Sequence, residues 1–553
     1  MPIGKAKTCL YSNQRLKAPI AAWSSKNLTR QRNIVLQGEA MRDAEKHQTC
    51  TPPHPGFQIQ SYRSPDAGPL TRRTCLVGLS LSYFLCFLGL LSAILVGVIN
   101  HVSPENVPTS LKGVAPTTIL PLLFALIVTF CNECLGFIHT TTLRWALWRE
   151  GRLDFNSNLR LLTQTKNSKP NAWYVNLFTI FVTSLSYASA GQILLVNEGY
   201  GMGKNTTLQF VGFSVPAMGI LTFSLFSQAV IATWCLWELK LQTATWSSNA
   251  LNNSLVCHQK GVPHHVGRSL APLKRPNTET SKTRIRPSKR QITLSTARPF
   301  VRVILGLLGF TVVVTLIWAI LTRQYGHDSS RSGVEDYFKS ASSNWLHHGQ
   351  SINFLARGSD QVDPWTCSLI GVGITLGAQV TYTLGLHCTE LLVNASRDER
   401  NWRCAANLKG KGAGLETNAI KDAFESWETV ALFLLKTTIH WVFGEALEIT
   451  INSGSAIFVI WANPLFVLTG LMALVALFGT YLCFRRHSGP QPAAWGHIQT
   501  IVDLVDDWGN DNETLFWGDK GVVARDGEGE IRHAGTSARA EALGEIRMDA
   551  KYI

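Results

Sequence analysis

Eight apolar blocks, at 76–99, 119–138, 173–196, 211–237, 300–321, 365–393, 430–447 and 456–484, constrain this chain more than any other feature. A helix rising about 1.5 Å per residue needs roughly 20 apolar residues to cross a hydrocarbon layer, and irregular backbone cannot satisfy its polar groups in lipid. The blocks therefore predict an all-α fold: a polytopic helical membrane protein with about eight transmembrane helices. Mean hydropathy is only +0.08, because long polar segments dilute the blocks. Two blocks leave an alternative open. The second carries Asn132 and Glu133, and the seventh is short and carries Lys436, His440 and Glu445, so each is either a full crossing or a re-entrant or interfacial helix.

Lys and Arg concentrate in the cytoplasmic loops of membrane proteins. Of the 51 here, only Lys112, Lys204, Arg323, Arg331, Lys339 and Arg357 lie in one set of alternating loops, and Arg302 and Lys436 lie within blocks; the rest fall on the other side. Both ends are thus expected in the cytoplasm. The implied organisation is a basic disordered region over 1–74, transmembrane helices 1–4 over 75–237, a basic disordered cytoplasmic loop over 238–299, transmembrane helices 5–8 over 300–484, and a cytoplasmic tail over 485–553. In that tail an amphipathic helix is expected at about 495–508, since Ile498, Ile501, Val502, Val505 and Trp508 recur at helical spacing with Asp503, Asp506 and Asp507 on other faces. The aspartates lack the loop of a calcium hand and read as a solvated acidic face on a helix docked beneath the bundle.

A net charge of +14 invites a nucleic-acid partner, but no zinc-finger spacing, RNA-recognition motif or basic zipper accompanies it. Positive charge retained on the cytoplasmic side explains it, and the basic loops are candidates for contact with anionic lipid of the bilayer. Most of the 12 cysteines fall in or beside the blocks, with no secure pair in the sparsely charged loops, so no disulfide framework is expected. Cys131 and Cys134 form a lone CxxC inside an apolar block and read as packing. No catalytic, metal or cofactor site is expected. A plasma-membrane or endomembrane location follows from the spans; a mitochondrial membrane is the minor alternative, because residues 1–38 contain seven basic and no acidic side chains.

Three stretches, LRWALWREGRLDFNSNLRLL at 143–162, TLGLHCTELLVNASRDERNW at 383–402 and AWGHIQTIVDLVDDWGNDNETLFWGDK at 494–520, resemble blocks in a family of uncharacterised multi-spanning membrane proteins of filamentous fungi. The resemblance covers about three quarters of the chain and implies architecture alone. Two of the stretches also echo each other. Leu135, Gly136 and His139 precede Arg149 and Glu150 much as Leu384, Gly385 and His387 precede Arg397 and Asp398, while Trp173 and Trp427 each open the next block. Two four-helix halves in parallel orientation would produce that echo, and the interface of such repeats often hosts a ligand.

Ionisable residues in hydrocarbon are costly and usually face a bundle interior or a watery cavity. Glu133, His387, Glu390, Lys436, His440 and Glu445 are therefore the candidate intramembrane polar site, with His387 or Glu390 expected beside Lys436. Gly373 and Gly377 are a candidate close helix approach, and Pro121, Pro216 and Pro464 are candidate kinks. Asn205, in a sequon on the side opposite the basic loops, is the candidate glycosylation site. The first functional expectation is a non-enzymatic receptor-like or membrane-organising component. A secondary transporter with an intramembrane polar site is the alternative, and a membrane-embedded enzyme the least supported. Convergence of the six ionisable residues around one water-accessible cavity would favour transport, and scattered pairs a structural role as interhelical salt bridges.

Overall fold

A computed structural model describes residues 69–102, 114–200, 207–240, 245–265, 267–271, 273, 285–328, 350–354, 364–415, 426–452, 455–509, 514–527 and 529–553. The bundle comprises α1 (Pro69–Val102), α2 (Val114–Arg149), α3 (Trp173–Ala190), α4 (Val215–Lys240), α7 (Val301–Tyr325), α8 (Pro364–Cys404), α9 (Trp427–Ala446) and α10 (Ala462–Phe484). Six of these, all but α3 and α9, are long and apolar enough to cross a membrane. That is two fewer than the eight expected. α3 has 18 residues and is rich in Ser and Thr, and α9 carries Glu428, Lys436 and Glu445, so neither is apolar enough on its own. Large apolar side chains such as Phe87, Val303 and Leu477 lie exposed on the bundle, as a lipid-facing surface requires.

The all-α expectation needs correction, because the described chain also holds two sheets. Strands β1 (Leu194–Tyr200), β2 (Thr207–Phe213), β3 (His327–Asp328), β4 (Gln350–Phe354), β6 (Leu447–Asn452) and β7 (Ser455–Trp461) form one, in the order β2-β1-β6-β7-β4-β3. β1 and β6 run parallel and the other neighbours antiparallel. The blocks at 173–196, 211–237 and 456–484 each run across a strand–helix boundary. Apolar periodicity cannot separate a buried strand from a helix, so each was legible only as one span. Gly191 closes α3 before β1 begins. Pro216 and Pro464 fall in the first turns of α4 and α10, where a missing N–H costs nothing, so neither is a kink; Pro121 alone lies inside a helix.

The strands all follow or precede helix ends at one end of the bundle. At the other, α2 and α8 continue into a polar module. α8 has 41 residues, about 60 Å of helix, roughly twice a hydrocarbon thickness. The module contains α5 (Ala250–Gln259), α6 (Leu294–Ala297) and α11 (Ile498–Leu504), with β5 (Ala413–Gly414), β8 (Thr514–Asp526), β9 (Gly529–Ser537) and β10 (Lys551–Tyr552) in a sheet ordered β10-β9-β8-β5. Where a disordered loop is expected over 238–299, residues 245–265 and 285–299 are folded. α5 is buried despite its polar sequence, because Asn249 caps it and Asn253 bonds Asn156. The tail helix is shorter than expected, at seven residues, and of the three aspartates expected on a solvated face only Asp507 is exposed: Asp503 pairs with His265 and Arg268, and Asp506, beyond the helix, with Lys520 and His533.

Element order repeats along the chain. α1 packs on α4 as α7 packs on α10, α3 on α4 as α9 on α10, and α8 reaches α3 as α2 reaches α9. The hairpins β1–β2 and β6–β7 meet through their first strands. At the centre, a Cβ on Gly191 would lie 2.9 Å from the Gly444 Cα, and one on Gly444 3.0 Å from the Gly191 Cα. Close backbone approach thus falls to this pair and not to Gly373 and Gly377, whose missing Cβ atoms would meet nothing within 4 Å.

Candidate functional site

α2, α8 and α9 carry long polar side chains at the same depth, and there the bundle gathers its charge. Lys436 of α9, only 2 % exposed, donates to Glu133 of α2 at 2.7 Å and to Glu390 of α8. His387, one turn before Glu390, lies with its Nδ1 2.9 Å from Glu390 Oε1. His440, one turn after Lys436, is bonded to Gln379 and stacks on Tyr187 of α3, with ring centroids 3.5 Å apart and planes at 11°. Five of the six residues singled out in the sequence thus converge. Glu445 does not; it accepts from Trp441 Nε1 at 3.0 Å on its own helix.

Several members of the site carry no sequence signal strong enough to single them out. Arg160, from the segment between α2 and α3, places Nη2 3.4 Å from His387 Nδ1. It reaches in across Gly136, where a Cβ would lie 2.8 Å from Arg160 Nη1, so only glycine leaves room for the guanidinium. Tyr187, Gln379, Asn132 and Gln228 line the same interior, with Asn132 donating to Ser186 and Thr183 to Gln228. Of these, Asn132 already stood out in its apolar block, and Gln228 and Gln379 are lone amides in apolar helices of the same kind.

The two carboxylates are not sealed as Lys436 is. The Glu133 and Glu390 side chains remain 35 % and 25 % exposed. No family model matches the chain, and neither a curated protein nor a solved structure shows significant similarity to it. The chemistry must be read from the side chains themselves. A charged group pays heavily to face hydrocarbon, so the exposed parts of the two carboxylates call for water or another polar partner. Such a cluster can bind a cation, exchange a proton, or hold a polar solute through both carboxylates and the ammonium.

A second cluster lies in the module, where the segments 143–162, 383–402 and 494–520 meet. Asp398 accepts from Asn156 Nδ2 at 3.0 Å and Ser157 Oγ at 3.2 Å, and Arg298 donates to the Ser157 carbonyl at 2.8 Å. Glu399 accepts the backbone N–H groups of Ala494 and Trp495 at 2.8 and 2.7 Å. Those bonds hold Trp495 at a φ of 47°, a left-handed conformation that side chains rarely adopt. Burial drives the Arg298 guanidinium down to about 10 although Asp398 and Asp154 oppose it. These bonds tie α8 to the segments at 156–157 and 494–495, so this cluster fastens α8 to the module. Of the other predicted positions, Asn205 lies outside the described residues, as do 1–68 of the basic amino-terminal region. Asn252, another sequon, is buried in α5.

Proposed function

We propose that the chain is a secondary transporter for a small polar solute, built from two parallel four-helix halves with eight spans and both ends cytoplasmic. The observation that carries this is the convergence of Glu133, His387, Glu390, Lys436 and His440 into one cluster. Glu133 belongs to the first half and the other four to the second, so the cluster straddles the interface, the usual place for a site in proteins made of repeats. On this reading α3 and α9 cross the membrane despite their polarity. Their Ser, Thr and charged residues face the interior, and the flanking helices supply the lipid surface. The module and the basic segments face the cytoplasm, where anionic headgroups are the natural partner, in the plasma membrane or an endomembrane.

The test is solute-driven current in vesicles reconstituted with the full chain, screened across amino acids, sugars, organic acids and amines, with Lys436→Met as the control. A current in the parent chain that Lys436→Met removes supports transport. A folded parent chain silent to every class sinks it. A receptor-like or membrane-organising role is the second reading, favoured by the folded module at one end of the bundle; deletion of 485–553 would then abolish the cellular phenotype while Lys436→Met preserved it. Topology has its own check. A glycan on Asn394 would invert the proposed orientation, and one on Asn205 would agree with it.

A further inference from the structure

One face of α8 carries Thr375, Gln379, Thr383, His387 and Glu390, recurring every three or four residues and ending at the ion cluster. All but Glu390 are buried. α3 packs against α8 and carries Thr179, Thr183, Ser186 and Tyr187, also buried, with Thr183 donating to Gln228 of α4 and Ser186 accepting from Asn132 of α2. Along this seam Gln379 Oε1 and Thr383 Oγ1 have no hydrogen-bond partner among the described residues. Buried polar atoms are nearly always satisfied, by protein or by water. A polar seam therefore runs from the sheet end of the bundle to Glu390.

At its lower end one atom faces two incompatible demands. His387 Nδ1 lies 2.9 Å from Glu390 Oε1, an acceptor, and 3.4 Å from Arg160 Nη2, a donor. A ring nitrogen carrying hydrogen can serve only the carboxylate, and one without it only the guanidinium. The arrangement is therefore suited to two protonation states. We infer that the cluster is loaded by a proton that His387 passes to Glu390, and that loading hands Lys436 over to Glu133.

The step balances within the site. His387, protonated from the aqueous side, gives the hydrogen on Nδ1 to Glu390 Oε1. The imidazolium becomes imidazole, the carboxylate becomes a carboxyl, and the emptied Nδ1 accepts from Arg160. A neutral Glu390 no longer holds the ammonium of Lys436, whose remaining anionic partner is Glu133. Lys436 and Glu390 belong to one half and Glu133 to the other, so loading releases the tie within a half and leaves the existing tie between halves as the ammonium's only ionic one. The groups that bear on Glu390 are Lys436 and His440 from α9, Glu133 from α2, Tyr187 from α3, Arg160, and His387 and Cys388 of its own helix. α4, α7 and α10 meet α8 through apolar side chains such as Met218, Leu308 and Val475.

The inference deepens the transporter reading, but its test needs no solute. Infrared difference spectra of the full chain in lipid vesicles, recorded across pH in water and deuterated water, should show a carboxyl C=O band that titrates. Glu390→Gln should remove it and Glu133→Gln should leave it, while His387→Gln should displace its midpoint by about a pH unit or more. A band that survives Glu390→Gln, or that Glu133→Gln alone removes, overturns the proposal. Should Glu390→Gln fail to fold, Glu390→Asp retains a carboxyl and must shift the band; an unchanged spectrum would overturn it equally. A titrating Glu390 in vesicles silent to every solute would remove the transporter reading and leave the proton site standing.

Discussion

The ion cluster in the bundle and the Asp398–Glu399 pair in the module both bury carboxylates on α8, within about ten residues of each other, yet they are finished differently. Around Asp398 and Glu399 each oxygen is met by amides, hydroxyls, a guanidinium or backbone N–H groups, and both side chains are sealed. Around Lys436 only the ammonium is sealed, two carboxylates share it, and one histidine nitrogen faces both a donor and an acceptor. A network in which each carboxylate has donors of its own has one arrangement and fastens, even with Arg298 Nη1 and Arg403 Nη2 left without a hydrogen-bond partner among the described residues. An over-subscribed one has several of similar energy and can switch. Burial of charge alone does not separate the two; the count of partners does.

The comparison breaks most readily at Glu399. Glu399→Ala strands Arg403 and releases the strained turn at Trp495, and removing one partner of a buried pair costs about 3–5 kcal/mol. Thermal unfolding in detergent should show that loss, with α5 and the β8–β9 hairpin becoming protease-sensitive. A variant as stable as the parent chain would mean that the module is held by other contacts.

Within the bundle the expected signature is coupling. Glu390→Leu leaves Lys436 with Glu133 alone, Lys436→Met leaves two carboxylates facing each other, and the double substitution removes both faults. Its cost should fall short of the sum by about 1–3 kcal/mol, the range for residues in contact. Strict additivity in a double-mutant cycle would disprove the pairing.

Between these in kind is the approach of α3 and α9. Gly191→Ala or Gly444→Ala places a methyl within about 3 Å of opposing backbone, and overpacking of this sort costs about 1–3 kcal/mol. Gly373→Ala should cost less than either, as its Cβ meets open space. Equal costs at all three would remove the centre from the repeat.

How much of this was legible follows from the same contrast. Charges in the bundle stand out because their background is apolar, so Glu133, Glu390 and Lys436 could be named from sequence, and Lys436 expected beside His387 or Glu390, though not beside Glu133. Arg160 could not, because it sits in a polar segment where nothing marks it as turned inward. α5 was hidden for the opposite reason: ALNNSLVCHQ buries itself through hydrogen bonds and not through an apolar stripe. The strands disappeared into neighbouring helices, because LLV after a helix and SAIFVIW before one extend an apolar run without changing its composition. Sequence pattern reports where hydrophobicity changes, and here both the boundaries and the fastenings were made by polar contacts.

The smallest expected effect lies at the outer edge of the module, where His533 Nε2 meets Asp506 Oδ2 at 2.9 Å. The bond from Asp506 raises the His533 imidazole above its usual range, against burial. Burial works to raise the Asp506 carboxyl, but bonds from His533, Lys520 and Thr536 outweigh it and hold the group well below the usual carboxylate range. The signs are opposite. His533 contributes fully below its unfolded value near 6.5 and its contribution is lost as pH rises through the raised folded value. Asp506 contributes above the unfolded carboxylate value near 3.9 and is lost as pH falls through its depressed one. The pair should therefore stabilise the hairpin most in the window between, by about 1 kcal/mol for one charge-assisted bond at a partly open site. His533→Gln should flatten the decline in hairpin protection measured by hydrogen exchange from pH 6 to 8, and leave the unfolding of the bundle unmoved. A decline that persists in that variant would place the titrating group elsewhere in the module.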